Sequence, residues 1–209
     1  AFLFPPLFVK EAKWLIQQCQ VLNIPYVTIN TELKNSGCLC YVGQDSYQSG
    51  VLGARLLNFG LNENETVCIL NLDYIAKTAY HLIEKEQGFK DYFREHKRKK
   101  INIIKKSFDN FEDENKLELF LRELIEQHPK LHGIFVTNSR AYKIVDYLEI
   151  ITDREIKLVG FDLISENLAY LKADKINFLI NQNPNEQGYL AVMSIFKHLI
   201  LKEEIEEIQ

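Results

Sequence analysis

Four polar residues stand just behind short apolar runs: Asp45 after Val42, Asn138 after Val136, Asp162 after Val159 and Gln182 after Ile180. If those runs are strands of a parallel sheet, these residues lie at its carboxyl edge, where open α/β sheets take their ligands. Carboxylates and amides suit a polyhydroxyl ligand, because each can hold adjacent hydroxyls with two oriented hydrogen bonds. The chemistry expected of the set is therefore recognition of a carbohydrate. Each member also has a plainer reading. Asn138 can be the N-cap of the helix behind it, Asp45 a cap for a helix opening at Ser46, and Gln182 a loop residue. Their joint occurrence points to a site.

Other chemistry finds no carrier. The sequence has no Gly-x-Ser-x-Gly elbow, no Gly-x4-Gly-Lys phosphate loop and no Gly-x-Gly-x-x-Gly turn, and nine glycines are few for a nucleotide cradle. His81, His96, His128, His132 and His198 are scattered without a His-x3-His pair. Cys38 and Cys40 stand in an apparent strand and read as packing residues, not as a zinc half-site. The expectation is a binding protein, with no catalytic residue, no metal and no cofactor.

The elements that must position these residues alternate. Short apolar runs are expected as strands at Ile24–Ile29, Leu39–Val42, Val67–Leu70, Ile101–Ile104, Gly133–Val136, Ile156–Val159 and Phe178–Ile180. Between them, amphipathic stretches predict helices at Val9–Val21, with Trp14, Leu15, Val21 and Leu22 on one face, and at Ser46–Phe59, with a stripe of Val51, Leu52, Leu56 and Phe59 ended by Gly60. Further helices are expected at Ala76–Glu95, Glu112–Gln127 stopped by Pro129, Asn138–Leu148, Glu166–Leu171 and Pro184–Leu201. This alternation is the mark of α/β architecture with parallel sheets.

The bulk properties agree with that class. The 209 residues are 46% hydrophobic and 26% charged, near globular averages. The uncharged start Ala1–Val9 is too short to span a bilayer, for which roughly 18 residues are needed, and no membrane partner is expected. A net charge of −4 gives no general pull toward nucleic acid. The basic run Arg94–Lys100 reads as a solvated helix end, where cations complement the helix dipole, since no aromatic residue is interleaved in it. Four cysteines without framework spacing fit a reducing cytoplasm.

Several segments, taken in order, carry a resemblance. They are Ile24-Pro25-Tyr26-Val27-Thr28-Ile29, Val42-Gly43-Gln44-Asp45-Ser46-Tyr47-Gln48-Ser49-Gly50, Gln87-Gly88-Phe89, Gly133-Ile134-Phe135-Val136-Thr137-Asn138, Val159-Gly160-Phe161-Asp162 and Leu179-Ile180-Asn181-Gln182-Asn183-Pro184 followed by Gln187-Gly188. In this the chain resembles the lactose-repressor-type (LacI family) transcription regulators, whose effector domain has the fold of type I periplasmic sugar-binding proteins.

The resemblance implies two Rossmann-like parallel-sheet lobes with helices on both faces. Residues 1–60 with 183–202 would form an incomplete N-terminal lobe and 61–182 the C-terminal lobe, with crossings near Gly60–Asn62 and Asn181–Asn183. It matches Asp45 to a ligand-contacting residue of the first lobe, Asn138 and Asp162 to effector-binding residues of the second, and Gln182 to the hinge glutamine. Lys85 stands where the family usually has Arg, a point charge in place of a planar fork; it also reads as a solvated helix residue between Glu84 and Glu86. Ser139 replaces a common Asp, and Asn30 a frequent acidic residue.

By this resemblance the expected function is a cytoplasmic effector-binding domain. A sugar or related small molecule would close its lobes and alter how a homodimer holds operator DNA. DNA would be read only through an N-terminal helix-turn-helix that lies outside this chain. An extracytoplasmic sugar-binding receptor serving a transporter or sensor is the alternative expectation.

Overall fold

A run such as Val67-Cys68-Ile69-Leu70 has no polar side, and a strand of that kind is stable only where both faces are covered. Residues 1–72, 80–96 and 100–206 are described in the computed structural model, and they follow that rule. In chain order the elements are β1 (Phe2–Phe4), α1 (Val9–Val21), β2 (Tyr26–Ile29), β3 (Tyr41–Val42), α2 (Ser46–Asn58), β4 (Thr66–Asn71), α3 (Tyr80–Glu95), β5 (Asn102–Ser107), α4 (Glu114–Gln127), β6 (Leu131–Val136), α5 (Tyr142–Ile151), β7 (Lys157–Phe161), α6 (Ser165–Lys172), β8 (Phe178–Ile180) and α7 (Pro184–Phe196), which continues as a π-helical turn over Lys197–Leu201. None of the described helices is long and apolar enough to cross a membrane.

The chain divides into two units. The first takes the described residues of Ala1–Asp45, Lys77–His81 and Gln182–Gln209, and the second those of Ser46–Ala76 and Leu82–Asn181. In the first, β1, β2 and β3 form a parallel sheet in that order. Ile16 and Cys19 of α1 pack with Tyr26 on one face, and Ala191 of α7 packs with Val27, Cys40 and Val42 on the other. Cys38 joins the α1 side and Cys40 the α7 side; residues two apart in a regular strand would share a face, but the strand begins only at Tyr41.

In the second unit five parallel strands run in the order β5-β4-β6-β7-β8. Strand order reverses between β4 and β6, which makes a topological switch point at the carboxyl edge. Val67, Ile69 and Phe135 face α2 and α3; Cys68, Leu70, Ile134 and Val136 face α4 and α5. The architecture is α/β, with parallel sheets covered by helices on both faces.

Several expectations are corrected. Helix α2 belongs to the second unit, so the first crossing falls at Asp45/Ser46 and not at Gly60–Asn62; Ala54 and Leu57 bury against Val67, Phe135 and Val159. Its buried stripe is Ser46, Ser49, Gly50, Gly53, Ala54 and Leu57, while Leu52 and Phe59 are exposed. Close approach is the reason: a Cβ on Gly50 would lie 1.9 Å from the Lys85 carbonyl oxygen, and one on Gly53 would lie 2.4 Å from the Phe135 ring. In α1 the buried residues are Ala12, Ile16 and Cys19, whereas Trp14, Val21 and Leu22 are exposed. The strand expected from Leu39 is regular only over Tyr41–Val42. Residues 76–79 of the expected third helix and 97–99 of the basic run lie outside the described residues.

Candidate functional site

The second unit gathers polar residues at the carboxyl ends of β4, β6 and β7. Thr137 is buried; its hydroxyl donates to Asn71 Oδ1 at 2.6 Å, and Asn71 Nδ2 donates to Ser107 Oγ at 3.3 Å. The ends of β6, β4 and β5 are thereby tied in one chain of hydrogen bonds. Asn138 follows. Its amide nitrogen donates to the Leu72 carbonyl at 2.9 Å and its oxygen accepts the Arg140 N–H at 3.1 Å. Asn138 is therefore not the N-cap of α5, as the sequence suggested. Its oxygen closes a local turn two residues long, and α5 begins later, at Tyr142. Arg140 donates to the same Leu72 carbonyl at 3.0 Å and lies over the Phe111 ring at 4.5 Å.

Asp162 adopts a left-handed backbone with φ 66°, a conformation that Asp tolerates better than most residues. Its N–H donates to the Ile180 carbonyl at 2.9 Å. The buried Asn167 fixes the same turn from below: Nδ2 donates to the carbonyls of Phe161 and Ser139 at 2.9 Å and of Asp162 at 3.1 Å, and Oδ1 accepts the Tyr142 N–H at 3.0 Å. The loops carrying Asn138 and Asp162 are thus joined through a single side chain.

Lys85 of α3 is not a solvated residue. It is 2% exposed, its Nζ donates to the Thr137 carbonyl at 3.2 Å, and it lies 3.8 Å from the centre of the Phe161 ring. Burial pushes its amine down to about 7, and the Asp162 carboxylate acts in the opposite sense.

Asp45 and Gln182 belong to the first unit. Asp45 is exposed just after β3. Its neighbour Gln44 donates a side-chain hydrogen bond to Gln182 Oε1, the Tyr41 hydroxyl donates to the Gln44 carbonyl at 3.1 Å, and Gln187 Nε2 donates to the Gln182 carbonyl at 2.7 Å. Of the five expected residues, Lys85, Asn138 and Asp162 converge on one sheet edge. Asp45 and Gln182 are brought to one region of the other unit through Gln44.

Asn71, Thr137, Arg140 and Asn167 escaped the sequence reading. Asn71 carried the same signal as the others, a polar residue closing an apolar run. Asn167 carried a weaker one, an asparagine inside a helix, where its side chain competes with the backbone.

A model of the periplasmic binding protein domain family matches residues 1–203. The ribose import binding protein of Bacillus subtilis is 23% identical over 193 residues, which cover 91% of this chain and 60% of that protein, so the chain spans about three-fifths of the relative's length. Among solved structures, a putative LacI transcriptional regulator from Bacteroides fragilis superposes with a TM-score of 0.83 at 27% identity, over 99% of this chain and 71% of that one. A solute-binding protein of an ABC transporter from Agrobacterium vitis, bound with α-D-tagatopyranose, gives a TM-score of 0.85 at 25% identity, over 100% and 72%.

Proposed function

The chain belongs to the periplasmic binding protein domain family, and from that premise we propose that it binds a monosaccharide or a close relative of one. The observation that carries this is the pairing of Asn138 and Asp162 at the switch-point edge, both on turns locked by Asn167. A carboxylate can accept from two hydroxyl donors, and an amide on the neighbouring turn is a second oriented partner. Asp45 and Gln182, in the first unit, are proposed as sugar-binding residues as well. The role is recognition, not catalysis.

We further propose that the sugar is an effector and that the domain serves a cytoplasmic, homodimeric transcription regulator, a reading supported by the 27% identity to a LacI-type regulator. The effector must bind one state of the regulator better than the other, since equal affinity shifts nothing. DNA contact is assigned to a helix-turn-helix outside these residues, because net charge −4 offers phosphates no general attraction.

The ribose import binding protein and the tagatose-bound solute-binding protein favour a second reading, an extracytoplasmic receptor of the same fold. Calorimetric titration of the chain with a panel of pentoses and hexoses, D-ribose and D-tagatose included, tests the shared sugar reading; absence of heat across the panel sinks it. A mobility shift of operator DNA by the intact protein, altered by the bound sugar, supports the regulator. Its absence, together with a secretion signal encoded upstream, supports the receptor.

A further inference from the structure

Lys85 is buried beneath the turns that carry the two residues proposed to bind sugar, Asn138 and Asp162. Thr137, whose carbonyl accepts from Nζ at 3.2 Å, immediately precedes Asn138, and Phe161, whose ring lies 3.8 Å from Nζ, immediately precedes Asp162. One amine therefore touches the residue that precedes each of the two proposed hydroxyl-binding groups. It cannot swing out with its helix, because a Cβ at Gly50 would lie 1.9 Å from the Lys85 carbonyl oxygen and one at Gly88 would lie 2.0 Å from that of Tyr47, so the α2 and α3 backbones are in contact there.

We propose that Lys85 is a positioning residue and not a ligand contact, and that its protonation, balanced by Asp162, couples sugar affinity to pH. The inference rests on Asp162 being a sugar-binding residue. A buried ammonium has three donors, and among the described residues this one meets one carbonyl and one ring face, while the Asp162 carboxylate favours its charged form. One turn earlier on α3, His81 has its Nδ1 3.3 Å from the Thr31 hydroxyl. On α3, Glu86 pairs with Lys90 and Lys105, and Asp91 pairs with Arg94 and accepts the Tyr47 hydroxyl of α2. Behind β6, Arg140 lies over Phe111. The amine gains and loses its proton near pH 7 because burial opposes the charge.

Sugar hydroxyls that donate to Asp162 weaken the field it exerts on Lys85. By linkage the bound sugar then lowers the proton affinity of Lys85, and sugar binding releases a proton. Affinity must fall as pH falls through 7.

Calorimetry at pH 6, 7 and 8, in buffers of different ionisation enthalpy, tests this with whichever sugar of a pentose and hexose panel binds best. For the wild-type chain affinity is expected to rise about threefold to tenfold from pH 6 to pH 8, with protons released. Lys85→Met, which has no titrating group, is expected to bind with no such slope. Lys85→Arg, charged throughout, is expected to show none either and to keep the weaker, low-pH affinity. A flat wild-type profile, or a slope retained in Lys85→Met, overturns the coupling while the sugar reading stands. Binding lost at every pH in folded Lys85→Met but kept in Lys85→Arg would make Lys85 a ligand contact and overturn the positioning role. If no sugar binds wild type at any pH, the sugar reading fails and the coupling falls with it. If Lys85→Met does not fold, the wild-type slope and Lys85→Arg decide.

Discussion

Asn167 donates from its amide nitrogen to the carbonyl of Asp162 at 3.1 Å, so a residue with no exposed surface sets the backbone of a residue in the candidate site. The same side chain serves Phe161, Ser139 and Tyr142. Asn167→Ala leaves three carbonyls and one N–H without this partner, and each unsatisfied buried group costs about 1–3 kcal/mol before water or relaxation offsets it. The expected loss is about 3 kcal/mol of stability, measured by urea denaturation. Asn167→Asp keeps the acceptor for Tyr142 but turns a carboxylate toward three carbonyl oxygens, and is expected to be at least as damaging.

The strands were legible because a parallel sheet buried on both faces demands uninterrupted apolar runs, and Val67–Leu70 and Gly133–Val136 have no other use. The faces of α1 and α2 were not legible. Hydropathy rewards large residues such as Trp14, Leu52 and Phe59, whereas α2 is held by the small Ser49, Gly50, Gly53 and Ala54, and contact between backbones leaves no trace in an apolar count. Within the candidate site, the places of Asn138 and Asp162 behind β6 and β7 were legible from the apolar runs before them. Lys85 looked solvated between Glu84 and Glu86, yet its spacing with Leu82 and Phe89 placed it on the buried stripe of α3. That periodicity was the available signal for its burial.

Gly50→Ala tests the contact between α2 and α3. The added methyl meets a backbone carbonyl at 1.9 Å, which no side-chain rotation relieves. The helices must separate, and overpacking of this kind costs about 1–3 kcal/mol. Lys85 would move with α3, so sugar affinity is expected to fall alongside stability. Denaturation and calorimetry on the same variant would show both; unchanged stability would argue against the contact.

Lys85 also gives stability a pH dependence of defined sign. The ordinary amine value is 10.5 and burial lowers it to about 7 in the folded chain. Between those values the unfolded chain binds more protons, so stability rises with pH across that window, is complete above 10.5 and is lowest below 7. The full span is on the order of 5 kcal/mol. Urea denaturation of wild type and Lys85→Met at pH 7, 8, 9 and 10 isolates it, because other groups titrate equally in both. The wild type is expected to gain on the variant steadily as pH rises, and parallel profiles would refute the buried ammonium.

Asp162 carries the most direct prediction about binding. A hydrogen bond to a charged group contributes about 1.5–3 kcal/mol, so Asp162→Ala is expected to weaken sugar binding by roughly 10- to 150-fold. The left-handed backbone at this position, φ 66°, complicates that variant, since Ala adopts it at a cost that Asn does not share. Asp162→Asn separates the two effects: it keeps the backbone preference and removes the charge. If charge is what holds the hydroxyls, both variants lose affinity; both also lose the counter-charge of Lys85, and the alanine variant loses further stability through its backbone. Calorimetry and denaturation on the pair decide, and a dissociation constant unchanged in folded Asp162→Asn would remove the carboxylate from the site.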